Sequence, residues 1–123
     1  MNAKSILVIE DEKSLLKTLT RKFESEGFFV RGAVNGKEGL SMALEFHPDL
    51  ILLDIIMPEM DGITMLKKLR EDEWGKDVSV MILSNLSDDS KIMTALENNT
   101  FDYLIKVNWS LDDLVKKVKE KLA

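Results

Sequence analysis

Cysteine is absent from this chain, and histidine occurs once, as His47. Without cysteine there are no disulfides, iron–sulfur clusters, thiolate zinc sites or cysteine nucleophiles. A single histidine makes catalytic triads and histidine metal clusters poor bets. Proline occurs twice and tyrosine once in 123 residues. Long apolar runs are also missing. The first one, Ile6-Leu7-Val8-Ile9, stops at Glu10-Asp11-Glu12, too short for a signal peptide core and far short of the roughly 20 residues of a membrane span. The expectation is a cytoplasmic protein with no membrane segment. Acids outnumber bases 22 to 17, for a net charge of −5, which argues against a broad basic face for nucleic acid and favours a cation or a basic partner. The length suits one domain, 1–123, able to bury a core without covalent staples.

Two kinds of segment alternate along the chain. Short apolar runs at Ser5–Ile9, Phe28–Arg31, Leu50–Leu53, Val78–Leu83 and Tyr103–Ile105 read as strands buried on both faces. Between them lie stretches of helical spacing. Leu15, Leu16, Leu19 and Phe23 mark the first, closed by Gly27. Asn35 and Glu38 form a capping box for the second, which Pro48 prevents from continuing. The third is expected over Ile63–Glu73, the fourth over Asp88–Asn98, and the last over Ser110–Leu122, with Ser110 and Asp113 as its capping pair. Strands joined by helices of this length must run parallel, with right-handed crossovers. The fold class is therefore α/β, a doubly wound five-stranded parallel sheet, and its ligands belong at the carboxyl ends of the strands.

That rim is where the polar residues gather. Glu10 and Asp11 end the first strand, Asp54 the third, Ser84 the fourth and Lys106 the fifth. Taken singly, Asp54 reads as readily as a helix cap or solvated loop acid as it does as a site residue, and Asp11 reads as the cap of the first helix. Taken together, carboxylates crowded in one cleft recruit a cation, and hard oxygen ligands suit magnesium. A lysine and a hydroxyl beside them complete the parts needed for phosphoryl transfer, in which a carboxylate can be the nucleophile.

The chain resembles the receiver domain of bacterial two-component response regulators, over essentially its whole length. The resemblance rests on Ile6-Leu7-Val8-Ile9-Glu10-Asp11-Glu12, on the segment from Pro48 through Asp54 and Pro58 to Gly62, on Met81-Ile82-Leu83-Ser84, and on Asp102-Tyr103-Leu104-Ile105-Lys106. It implies a flavodoxin-like (βα)5 sheet of strand order 2-1-3-4-5. It implies that Asp54 accepts a phosphoryl group from a sensor histidine kinase or a histidine phosphotransfer protein. It implies Mg2+ (or Mn2+) held by Asp11, Asp54 and the backbone carbonyl of Ile56, with Glu10 acting through a water. Ser84 and Lys106 would contact the phosphoryl oxygens, and Tyr103 would turn inward with Ser84 to change the face read by an output protein. The implied protein is a signalling switch, not an enzyme beyond self-phosphorylation and slow dephosphorylation. It is a monomer or a phosphorylation-dependent dimer, has no direct nucleic-acid contact, and has no output domain within 1–123.

Four residues depart from the family pattern. Glu10 stands for the usual Asp and Ser84 for the commoner Thr, while Asn85 follows where Ala or Gly is usual. Lys106 is followed by Val107 rather than proline. A non-proline cis bond costs about 2.5–4 kcal/mol, so that peptide is expected to be trans. These departures keep one alternative open, a degenerate receiver that works as a phosphate-independent interaction module. A hydrolase with an aspartyl nucleophile fits less well. Dehalogenase-like phosphatases carry a second Asp two residues after the first, and here that position is Ile56.

Overall fold

In the computed structural model, residues 3–54, 62–84, 102–105 and 110–122 are described, with 54, 62, 63, 84 and 102–105 described by backbone alone. The elements run β1 (Ser5–Ile9), α1 (Lys13–Ser25), β2 (Phe29–Ala33), α2 (Gly36–Phe46), β3 (Leu50–Asp54), α3 (Gly62–Glu71), β4 (Ser79–Ser84), β5 (Asp102–Ile105) and a C-terminal helix (Leu111–Leu122). All strand pairs are parallel, in the order β2-β1-β3-β4-β5.

Both faces of the sheet are covered, which is why its strands read as unbroken apolar runs. Leu7, Ile9, Ile51, Leu53, Val80 and Ile82 pack against α2 and α3 through Ala43, Met65, Leu66 and Leu69. The alternate residues Ile6, Val8, Leu50, Leu52, Met81 and Leu83 pack against α1 and the C-terminal helix through Leu19, Phe23, Leu114 and Val118. Met65 is thus a core residue. The expected helix at 88–98 lies outside the described residues.

Helix ends follow the sequence signals, with corrections. The cap position of α1 is Glu12, whose carbonyl accepts from the Leu16 N–H at 2.9 Å, so Asp11 is not that helix's cap. After α1 the chain turns through Gly27 at φ 95°, a left-handed conformation that favours glycine. Asn35 caps α2 by accepting from the Glu38 N–H at 2.7 Å, and Ser110 caps the C-terminal helix by accepting from the Asp113 N–H at 3.1 Å. Of the Asn35–Glu38 box only this forward half forms, because the exposed Glu38 side chain stays in solvent. Replacing Asn35 by alanine is expected to lower stability by about 1 kcal/mol, read as a lower urea midpoint at unchanged slope.

Most element ends lie within one residue of expectation, and β2 and α3 shift further. β2 begins at Phe29 and runs on to Ala33, because β1 is long enough to pair Val8 with Gly32 and Ile9 with Ala33. α3 stops at Glu71 rather than Glu73. The Asp72 carboxylate accepts from the N–H groups of Trp74 and Gly75, both at 3.0 Å, and turns the chain there. Arg70 pins the same turn by donating to the carbonyls of Gly75 (2.7 Å) and Val78 (2.8 Å). His47, in a left-handed conformation at the end of α2, stacks on Trp74 with ring centroids 4.2 Å apart, a structural role at a helix terminus.

Charged side chains tie α1 to the C-terminal helix. Lys22 pairs with Asp112 at 3.0 Å, and Glu26 accepts from Lys119 at 2.7 Å. Lys119, then Lys22, hold the Glu26 carboxyl below its ordinary value of 4.5, so the tie is present above that pH and lost as pH falls through the lowered value. No helix among the described residues is long and apolar enough to cross a membrane.

Candidate functional site

Five parallel strands deliver their carboxyl ends to one edge of the sheet, and the register sets what arrives there together. Ile9 pairs with Leu53, so Glu10 and Asp54 extend adjacent strands by one residue each. Asp54 in turn pairs with Leu83, which places Ser84 one residue beyond it on the next strand. Ser84 pairs with Ile105, the residue before Lys106. Asp54 therefore closes the central strand, with the ends of β1 and β4 on either side. Tyr103 pairs with Ile82, one row back from Leu83 along the same strand. The side chains of Asp54, Ser84 and Tyr103, and all of Ile56, Leu86 and Lys106, lie outside the described atoms.

Among the described residues, Glu10 is the charged residue that is buried, 1% exposed. Burying a carboxylate is costly unless it is hydrogen-bonded. Here its Oε2 accepts from the Glu12 N–H at 3.0 Å, while its own N–H donates to the Ala33 carbonyl at 2.9 Å. The turn after β1 thus folds back onto the Glu10 carboxylate. Asp11, the next residue, is exposed. Gly39 lets this arrangement form: a Cβ there would collide with the Ile9 side chain, so its absence allows α2 to lie directly against the end of β1. Glycine at this position serves packing, in keeping with the absence of a phosphate-loop pattern around Gly36 and Gly39.

Of the residues at these strand ends, Glu10, Asp11 and Asp54 carry carboxylates and Ser84 a hydroxyl. That donor chemistry fits a hard divalent cation such as magnesium.

The family profile described as the response regulator receiver domain matches residues 6–119. The chain belongs to this family. Among its relatives is the probable transcriptional regulator ycf27 of Porphyridium aerugineum, 38% identical over 106 residues, which cover 86% of this chain and 43% of that protein. Among solved structures, a CheY-like response regulator receiver domain protein from Methanospirillum hungatei JF-1 superposes with a TM-score of 0.91 at 26% identity, covering 98% of this chain and 94% of that one. The CheX-CheY-BeF3-Mg2+ complex from Borrelia burgdorferi matches with a TM-score of 0.81 at 27% identity, covering 98% and 90%. The chain spans about half the length, or less, of the curated relatives it matches. Receiver domains of two-component response regulators are signalling switches that generally take a phosphoryl group and typically bind Mg2+. The strand order and the doubly wound sheet of this receiver domain agree with the expectation drawn from its sequence.

The register could not have been read from local patterns, and neither could the donor that satisfies Glu10. One signal was available for the latter: an acid followed two residues later by a helix start invites a carboxylate to accept from the turn's own N–H groups.

Proposed function

We propose that this receiver domain is a phosphoacceptor switch in which Asp54 is the acceptor. The observation that carries the reading is the register: Asp54 closes the central strand between the end of β1, with buried Glu10, and the end of β4, with Ser84. A carboxylate oxygen of Asp54 attacks the phosphorus of a phosphohistidine on a sensor kinase or histidine phosphotransfer protein. The new O–P bond forms as the N–P bond breaks, and the imidazole leaves with the electron pair.

Asp11, Asp54 and the Ile56 carbonyl would hold Mg2+ (or Mn2+), with Glu10 acting through water, and the ion neutralises charge on the phosphoryl oxygens when bound. Lys106 supplies a fixed positive charge on a flexible stem, and Ser84 a hydroxyl donor. The drawing of Ser84 toward the phosphoryl group opens space that Tyr103 takes up, and the surface formed by the fourth helix, β5 and the C-terminal helix changes for an output partner. At net charge −5 the chain has no nucleic-acid contact of its own in this reading.

The test is incubation with magnesium and a small-molecule phosphodonor, followed by intact-mass measurement. The wild type is expected to gain one phosphoryl group and Asp54→Asn none. No gain in the wild type overturns the proposal in favour of a phosphate-independent interaction module, the reading kept alive by Val107 after Lys106. A gain retained in Asp54→Asn moves the acceptor elsewhere.

A further inference from the structure

The opposite edge of the sheet holds a concave site. A cavity of about 210 Å³ opens where β1, β2 and β3 begin, lined by Ser5, Phe29, Arg31, Met42, Phe46 and Pro48 among others. Ser5, at the far end of β1, is five residues from Glu10, about 16 Å at the usual strand rise. Phe29 and Phe46 are 55% and 42% exposed, much for two large aromatic rings on neighbouring elements.

Arg31 stands between them. Its guanidinium carbon is 3.7 Å from the centroid of Phe46 and 5.2 Å from that of Phe29. Contact with rings engages the faces of a guanidinium and leaves the in-plane N–H groups available. Among the described residues no carboxylate pairs with it, although the chain carries 22 acids. Asp49, on the same edge, is held by the Ser5 N–H at 2.7 Å and the Ser5 hydroxyl at 3.2 Å.

We propose that this cavity binds a small carboxylate with an apolar body, an aryl or branched aliphatic acid. The carboxylate accepts from the in-plane donors of Arg31, and the body sits among Phe29, Met42, Phe46 and Pro48. The volume admits one ring or one branched chain, and is below that of pockets for drug-sized ligands. The cavity is separate from the phosphoryl site, so the proposal does not depend on Asp54 chemistry.

The experiment titrates the 15N-labelled chain with 3-phenylpropionate and, separately, with its neutral amide. Saturable shifts are expected with the acid, confined to Ser5–Leu7, Phe29–Arg31 and Met42–His47. The amide is expected to bind about tenfold more weakly, the loss of one charge-assisted contact. Arg31→Gln should bring the acid down to the affinity of the amide, and Phe46→Ala should weaken both. Equal affinity for acid and amide, shifts centred on the lysines of the C-terminal helix, or no saturable shift at millimolar acid would each overturn the proposal.

Discussion

The double variant Ile56→Asn, Leu86→Glu is expected to lose its phosphoryl group about tenfold faster than the wild type, equivalent to about 1.4 kcal/mol of barrier. Hydrolysis of an aspartyl phosphate needs a water in line with the bond to the Asp54 oxygen. Side chains that flank the approach can hold that water only if they offer a donor or acceptor. By resemblance to other receiver domains, the flanking positions are two residues beyond the acceptor and two beyond the rim hydroxyl. These are Ile56 and Leu86, both apolar. The pairing of β3 with β4 brings the ends of those strands, Asp54 and Ser84, to the same edge. The measurement is the decay of the phosphorylated mass after the phosphodonor is removed. Decay in the variant as slow as in the wild type, or slower, would sink the idea. Two outcomes therefore separate: whether Asp54 is phosphorylated at all, and how long the product lasts.

Phe23→Ala is expected to cost about 3–5 kcal/mol, the usual price of a fully buried aromatic and a large part of the roughly 5–15 kcal/mol that holds a domain folded. Phe23 is 0% exposed and packs on the sheet face formed by Ile6, Val8, Leu50 and Leu52. Its ring meets Phe28 edge-on, with centroids 5.7 Å apart and planes at 70°, a favourable arrangement beyond simple burial. Removing it opens a cavity between α1 and the sheet, and the surroundings are two layers of strand and helix with little freedom to collapse inward. Urea unfolding checks this, with Phe29→Ala as the comparison. Phe29 is 55% exposed and its loss should move the midpoint little. Similar shifts for the two variants would contradict the core assignment.

Much of the fold was visible along the chain because its determinants are local. A strand covered on both faces must be apolar at every position, and Ile6 through Ile9 and Leu50 through Leu53 are. Helix starts at Asn35 and Ser110 were visible because a cap is a bond to a residue three places on. Boundaries were less visible where a partner decides them. β2 reaches Ala33 because β1 lies beside it, and α3 ends early because Asp72 finds two N–H donors in the turn it makes. At the rim, Glu10, Asp11, Asp54, Ser84 and Lys106 could be named from strand ends alone. The sequence did not show that Glu10 is buried and Asp11 exposed, since the two are adjacent and of like charge.

Element types, the parallel sense of the strands and the residue types at the carboxyl edge are properties of short stretches, and the amino-acid order by itself determined them. The residue-by-residue register of the strands, the stack of His47 on Trp74 and the place of Arg31 against Phe46, with no carboxylate partner among the described residues, were decided by tertiary structure alone. The reason is physical. Periodicity records which face of an element is buried, but contacts between different elements depend on how whole layers pack, and no local pattern carries that information.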